Sequence, residues 1–378
     1  MKNKITNPFI TSGYIGPEYF CNRTEESKKL LSAISSRRNL TLISLRRMGK
    51  TGLLKHVKYL SEHQRNKYSV IYADLLPTMN GNEMLNSISS ALVKMKKNEK
   101  GFFSKILSVL SSLRPKLTYD SLTGQPAIEL SIESASDVQS GFNSILQLTS
   151  EIKQDLVFMF DEFQQISKYP EKNIEHMLRS VIQSYPGIPF IFSGSSRHML
   201  ENMFLSADRP FYQSSELMYL DKIEEAEYGK FINELFMKAG KKIEPEVFQK
   251  IFEWTRLHTY YVQYVCNLLY ENNSIIISNN LIKNIFYEIL TSYEPLYVSY
   301  RNLIPAHQFK LLQAIAIEDG ITQPTSGKFI LTHNLTSASS VITSLKALED
   351  KEMITRDGNK WIVYDVFFSR WLEYNYKK

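Results

Sequence analysis

Residues 40–56, LTLISLRRMGKTGLLKH, bring a glycine, a lysine and a hydroxyl together behind a short apolar run. Leu40 to Ser44 reads as a buried strand, Arg46 to Lys50 as a turn, and Thr51 onward as the first turns of a helix. That order aims the N–H groups of a loop and of a helix N-terminus at one point, where a phosphate would sit. Arg47, Met48, Gly49, Lys50, Thr51 and Gly52 are the residues this places against a nucleotide. Gly49 permits close backbone approach, Lys50 brings a point charge to the β- and γ-phosphates, and the Thr51 hydroxyl suits a Mg2+ ligand. In the pattern G-x-x-x-x-G-K-[ST] the first glycine falls at Ser44, so the match is incomplete. An ordinary strand-to-helix turn with a solvated lysine would carry the same triplet.

A second group of chemically capable residues lies at 155–162. DLVFMF is an apolar run suited to burial on both faces of a parallel sheet, and it ends in Asp161 and Glu162. Ligands bind at the carboxyl ends of such strands. There Asp161 would hold Mg2+ and Glu162 would orient or deprotonate a water. The alternative is a strand running into an acidic helix N-terminus, which the helix dipole also favours. A further strand, PFIFS at 189–193, leads into Gly194, Ser195 and Ser196. Ser195 could reach a γ-phosphate, or it could belong to a tight turn with a helix cap.

These residues need a scaffold, and the rest of the chain supplies one. Its 378 residues suit two or three domains, and 43% hydrophobic with 22% charged residues is ordinary for a soluble globular protein. The net charge of +6 permits contact with nucleic acid or an acidic partner without demanding either. Two distant cysteines, Cys21 and Cys266, form no C-x-x-C pair, so neither a disulfide framework nor a zinc site is expected. No run approaches the length needed to cross a bilayer, and the N-terminus lacks the apolar core of a signal peptide. A cytoplasmic setting is expected.

In chain order, residues 7–23 form a Pro/Gly-punctuated lead-in, and a helix begins near Thr24, read as its N-cap. Tyr68 to Leu75 reads as a strand, followed by a helix from Gly81 to about Lys96. Residues 97–135 interrupt the pattern with a helix from Phe102 to Leu113 and a β-hairpin turning at Gly124, either a partner-binding feature or a solvated decoration. A short helix at 199–204 and a strand at Glu216 to Leu220 flank Arg209. From Glu224 to about Ser292 the periodicity is helical throughout. From about Tyr293 come a helix at 305–318, a loop, a helix at 337–348, and two short strands around Asp357-Gly358-Asn359, the order of a winged helix-turn-helix. Its expected recognition helix offers Ser339, Ser340, Thr343 and Lys346, with Arg356 and Lys360 on the wing. These serve either DNA contact or protein contact. The expected domains are therefore 1–222, 223–292 and 293–378.

Taken together, FCNR before a helix, ISLRRMGKT, DLVFMFDE, FIFSGSS, DRPFYQ and the winged-helix pattern resemble the AAA+ class of P-loop ATPases, and within it the archaeal-type ATPases related to STAND NTPases. The resemblance spans nearly the whole chain. It implies an α/β core with a parallel sheet flanked by helices, an all-α lid and a C-terminal winged helix-turn-helix. It also implies ATP and Mg2+ as cofactors, Asn22 and Arg23 near the adenine or the lid, and Ser195 at the sensor 1 position. Arg209 falls where such proteins carry an arginine finger acting across a homo-oligomer, or it is a structural arginine paired with an acidic neighbour. The Gly-x-Pro of the lid would align with His258, Thr259 and Tyr260, none of which matches. The implied function is a molecular switch that hydrolyses ATP, slowly or on partner stimulation. The alternative is a nucleotide-bound adaptor or DNA-binding regulator.

Overall fold

The computed structural model describes residues 6–63, 68–95, 106, 108, 114–119, 126–130, 135–150 and 155–377. The chain divides into two compact units, one of residues 12–222 and the other of residues 1–11 with 223–378.

The first unit begins with helix α1, Thr24–Ser35. Thr24 is its first helical residue. The capping position belongs to Arg23, whose left-handed φ of 64° turns the chain into the helix, so the expected threonine cap is replaced by a backbone turn. Strand β1, Leu40–Ile43, leads to α2, Lys50–His63, and β2, Ser69–Asp74, to α3, Gly81–Met95. Strands β3 (Lys116–Tyr119) and β4 (Pro126–Glu129) pair antiparallel, which is the expected hairpin. Gly124 and most of the helix expected at 102–113 lie outside the described residues. After the helix Ala135–Ser150 come β5, Leu156–Asp161, and β6, Phe190–Gly194, and then β7, Glu216–Tyr219.

These strands form one five-stranded sheet in the order β2-β5-β6-β1-β7, parallel at every pairing. Parallel strands require crossover connections, and the helices between them cover both faces. The period of two sorts the strand side chains between two cores. Phe158, Phe160, Phe190 and Phe192 face one way, where they join Phe163, Phe204 and Phe211 in an aromatic layer. Val157, Met159, Ile191, Leu40 and Leu42 face the other, against Leu30 and Ile34 of α1 and Leu53, Leu54 and Val57 of α2. With both faces covered, the open places on this sheet are its edges and the carboxyl ends of its strands.

The second unit is mostly helical. Helices Glu225–Lys238, Pro245–Thr255 and Thr259–Glu271 are joined by a two-residue parallel pairing of β8 (Lys242–Ile243) with β9 (Ile276–Ile277). Phe9 of the chain's first residues packs on Phe236 and Tyr270. The next helix runs without interruption from Asn279 to Leu303 and carries Pro295 within it. A boundary at 292/293 therefore falls inside a helix, whose buried stripe continues to Tyr297, with Tyr293 stacked on it. Helices Ala306–Ile317, Gly327–Thr332 and Ala338–Asp350 precede the antiparallel strands β10 (Ile354–Asp357) and β11 (Lys360–Val363). A last helix, Val366–Tyr376, is absent from the sequence reading. Its apolar residues, Phe367, Phe368, Trp371 and Leu372, are nearly all buried, so it lacks a clear polar face. Among the described residues, no helix is long and apolar enough to cross a membrane.

Candidate active site

The turn after β1 is held by backbone conformation. Arg47 has φ 69° and Gly49 φ 90°, while Ser44 is not among the residues with positive φ. Only the left-handed positions favour glycine, so a serine costs nothing at 44. Its hydroxyl donates to the Leu45 carbonyl at 3.0 Å. Helix α2 starts at Lys50, and its first hydrogen bond beyond the turn runs from the Leu53 N–H to the Gly49 carbonyl, 2.9 Å. The N–H groups of the first helical turn have no partner within a helix and carry its positive dipole end.

Parallel pairing sets the carboxyl ends of β1, β5 and β6 side by side, and four side chains meet there. Lys50 is 6% exposed, with Nζ 3.1 Å from Glu162 Oε1 and 3.9 Å from Asp161 Oδ1. The Thr51 hydroxyl donates to Asp161 Oδ2 at 2.6 Å. Asp161, 2% exposed, also accepts from the Tyr72 hydroxyl at 3.0 Å and from the Ser193 hydroxyl at 2.5 Å. Glu162 adopts φ 55°, and its Oε2 accepts from the Ser195 N–H at 3.1 Å, the Ser195 hydroxyl at 2.7 Å and Gln164 Nε2 at 2.6 Å. Burial by itself would raise the Glu162 pKa. Lys50, Gln164 and Ser195 outweigh burial and hold it below the ordinary glutamate value of 4.5.

This donor set fits a magnesium nucleotide. A lysine, a helix N-terminus and a glycine turn suit phosphate oxygens, and a threonine hydroxyl adjoining a buried carboxylate suits a hard cation. Tyr72, Ser193 and Gln164 also belong to the cluster and were not singled out in the sequence. The signal for two of them was available. Tyr72 lies two residues before the end of β2, whose Asp74 pairs in register with Asp161, and Ser193 lies one residue before the end of β6, directly after Phe192, which pairs with Phe160. Burial and Asp161 together push the Tyr72 hydroxyl pKa upward, so it stays a hydrogen-bond donor.

The other expected residues lie nearby or apart. Arg23 is buried and donates to the Met48 carbonyl at 3.3 Å and to Glu26 at 2.8 Å, so it braces the turn from behind, while Asn22 is exposed. Within the lead-in, Phe20 stacks on His56 of α2 at 4.3 Å and the Tyr14 hydroxyl meets His56 Nδ1 at 2.8 Å. Arg209 is not drawn into the cluster. Its guanidinium bonds to Glu175, whose pKa burial raises against the pull of Arg209. His258 is buried beside Tyr261 within the second unit.

Residues 295–374 match the family described as "Probable winged helix domain". No curated protein matches the sequence. Among solved structures, a Walker-type ATPase of Pyrococcus abyssi superposes with a TM-score of 0.64 at 17% identity, covering 97% of this chain and 99% of that one. The Aeropyrum pernix ORC2 protein, solved in ADPNP and ADP complexes, gives 0.54 at 14%, covering 98% of each chain. The Aeropyrum pernix ORC1 protein, solved with DNA, gives 0.52 at 11%, covering 98% and 97%. The topology of the sheet, the helical segment after it and the C-terminal domain agree with these likenesses: the chain has the fold of these structures, a parallel α/β sheet followed by helices and a winged helix domain.

Proposed function

We propose that the chain binds ATP with Mg2+ at the turn 44–52 and hydrolyses it, using hydrolysis to switch the conformation that engages a partner. The observation that supports this is the meeting of Lys50 and Thr51 with Asp161 and Glu162 at the carboxyl ends of neighbouring strands. Hydrolysis needs a cation for the phosphates, a carboxylate and hydroxyl for the metal, and a second carboxylate for water. All four are present. Arg47, Met48, Gly49 and Gly52 would complete the phosphate cradle, with Asn22 and Arg23 behind it.

In the mechanism, Lys50 transfers its charge from Glu162 to the phosphates, which releases Glu162 Oε1. Glu162 then orients the attacking water and accepts its proton, ionised at neutral pH because its pKa is held low. Ser195 keeps Oε2 fixed through two hydrogen bonds. Thr51 and Asp161 would hold magnesium, which when bound supplies Lewis acidity and offsets developing charge. Arg209 would act on the site of a second copy only after leaving Glu175.

The winged helix is better suited to a protein partner than to DNA. Its helix Ala338–Asp350 exposes Ser339, Ile342 and Thr343 with one cation, Lys346, and Arg356 of the wing lies over the Trp361 ring at 4.3 Å. Each phosphate neutralised needs a cation.

The deciding experiment is steady-state ATP turnover with Mg2+ across protein concentrations, for wild type, Lys50→Ala and Glu162→Gln. Loss of binding in the first and loss of turnover with retained binding in the second are expected. ATP binding without turnover in wild type would favour a nucleotide-bound adaptor, and absence of binding would refute the assignment.

A further inference from the structure

Gln164 lies outside the residues so far given a chemical role. It is 6% exposed, in the short 3-10 helix Phe163–Lys168 that follows Glu162. Its Nε2 donates to Glu162 Oε2 at 2.6 Å, among the shortest contacts that carboxylate receives. The other end of the amide, Oε1, is buried and has no hydrogen-bond partner among the described residues. A buried amide oxygen left unsatisfied is costly, so packing and the charged bond at Nε2 must hold the side chain in place.

The packing is supplied by Gly194 at the end of β6. A Cβ at that position would lie 1.9 Å from Gln164 Oε1 and 3.0 Å from its Cδ, with Leu200 Cδ1 at 2.8 Å. Gly194 has no positive φ that would call for glycine, so the reason for the missing side chain is space. The residue after it, Ser195, delivers the other two hydrogen bonds to the same oxygen. The end of β6 therefore makes room for one donor to Glu162 Oε2 and provides two more.

We infer that Gln164 is a positioning residue for Glu162, and that Gly194 is the seat which keeps the Gln164 amide aimed at the carboxylate. The inference rests on the proposed role of Glu162 in ATP hydrolysis. With Oε2 held by three donors, the carboxylate cannot rotate, and Oε1 is the oxygen left for water once Lys50 moves to phosphate. Gln164 thereby fixes the orientation of the carboxylate.

Gln164→Leu and Gly194→Ala test this by different routes, one deleting the amide and the other displacing it. In both, kcat for ATP should fall about 10-fold or more, with ATP affinity within about two-fold of wild type. Added to Glu162→Gln, the Gln164→Leu change should lower turnover no further, since both act through one group. Thermal melting of each variant identifies any that fail to fold, and the folded one of the first pair then decides. An undiminished kcat in a folded Gln164→Leu or Gly194→Ala protein, or a loss of ATP affinity as large as the loss of kcat, overturns the inference. Full turnover in Glu162→Gln overturns instead the reading of Glu162 on which it stands.

Discussion

Two parts of this chain carry polar residues at positions singled out from sequence, and they treat them in opposite ways. At the ends of β1, β5 and β6, Lys50, Asp161 and Glu162 are almost withdrawn from water, and each is tied to at least two others of the cluster. On the winged helix, Ser339, Thr343 and Lys346 stand in solvent on a face that also exposes Ile342. Burying charge is expensive unless it is paired, so a buried charged cluster implies a compensating arrangement that mutation can expose. A solvated polar face implies nothing until a partner is found. The comparison teaches that the first site can be argued from its own geometry, while the second must be argued from what it lacks.

The comparison can be tested from its strongest side to its weakest. Asp161→Asn removes the charge accepting three side-chain hydrogen bonds and should reduce Mg-dependent turnover by about 10³-fold, read by phosphate release. Retained turnover would remove the metal role from Asp161. In the layer beneath, Phe192→Ala deletes a fully buried ring packed on Phe163, Phe204 and Phe211, and should cost about 3–5 kcal/mol in urea unfolding. Ile342→Ala, on the exposed face, should change it by less than about 0.5 kcal/mol. A large loss there would mean that this face is covered within the chain's own fold.

The pH dependence of stability sharpens the contrast further. Because the folded Glu162 pKa lies below its ordinary value of 4.5, its stabilisation is complete above that value and is lost as pH falls through the folded pKa. The melting-temperature advantage of wild type over Glu162→Gln should therefore be constant near neutrality and close as the solution is acidified below pH 4.5. An advantage that grows with acid would reverse the sign of the shift. The smallest effect belongs to the winged helix. The logarithm of DNA affinity should fall with log salt with a slope near zero, and Lys346→Ala should change affinity by less than about two-fold. A slope of several units would restore DNA as its partner.

Much of this was legible in the sequence because parallel sheets leave strong marks. The strands at 40–44, 68–75 and 155–160 are apolar enough to announce burial on both faces, and the residues that follow the first and the third, Lys50 and Thr51 with Asp161 and Glu162, are those the fold brings together. The cluster's other members were harder to see. Tyr72 and Ser193 lie near strand ends, but their meeting with Asp161 depends on register between strands distant in sequence, and Gln164 acts through a space left by Gly194 that no local pattern records. The final helix was missed because it is buried nearly all round, and the expected capping threonine because an arginine took a left-handed turn instead. Those failures share a cause: tertiary contact overrode local preference.

Both cysteines of the chain are buried, Cys21 at 5% and Cys266 at 0% exposure, and burial raises the Cys266 thiol pKa well above its usual value. A thiol that is both hidden and protonated reacts slowly with maleimides. The native protein is therefore close to blank for thiol labelling, and a cysteine introduced at an exposed position, such as Ser339 or Lys29, would be the one a dye finds. A dye pair placed at those two sites, one in each compact unit, would turn any nucleotide-driven movement into a change of fluorescence.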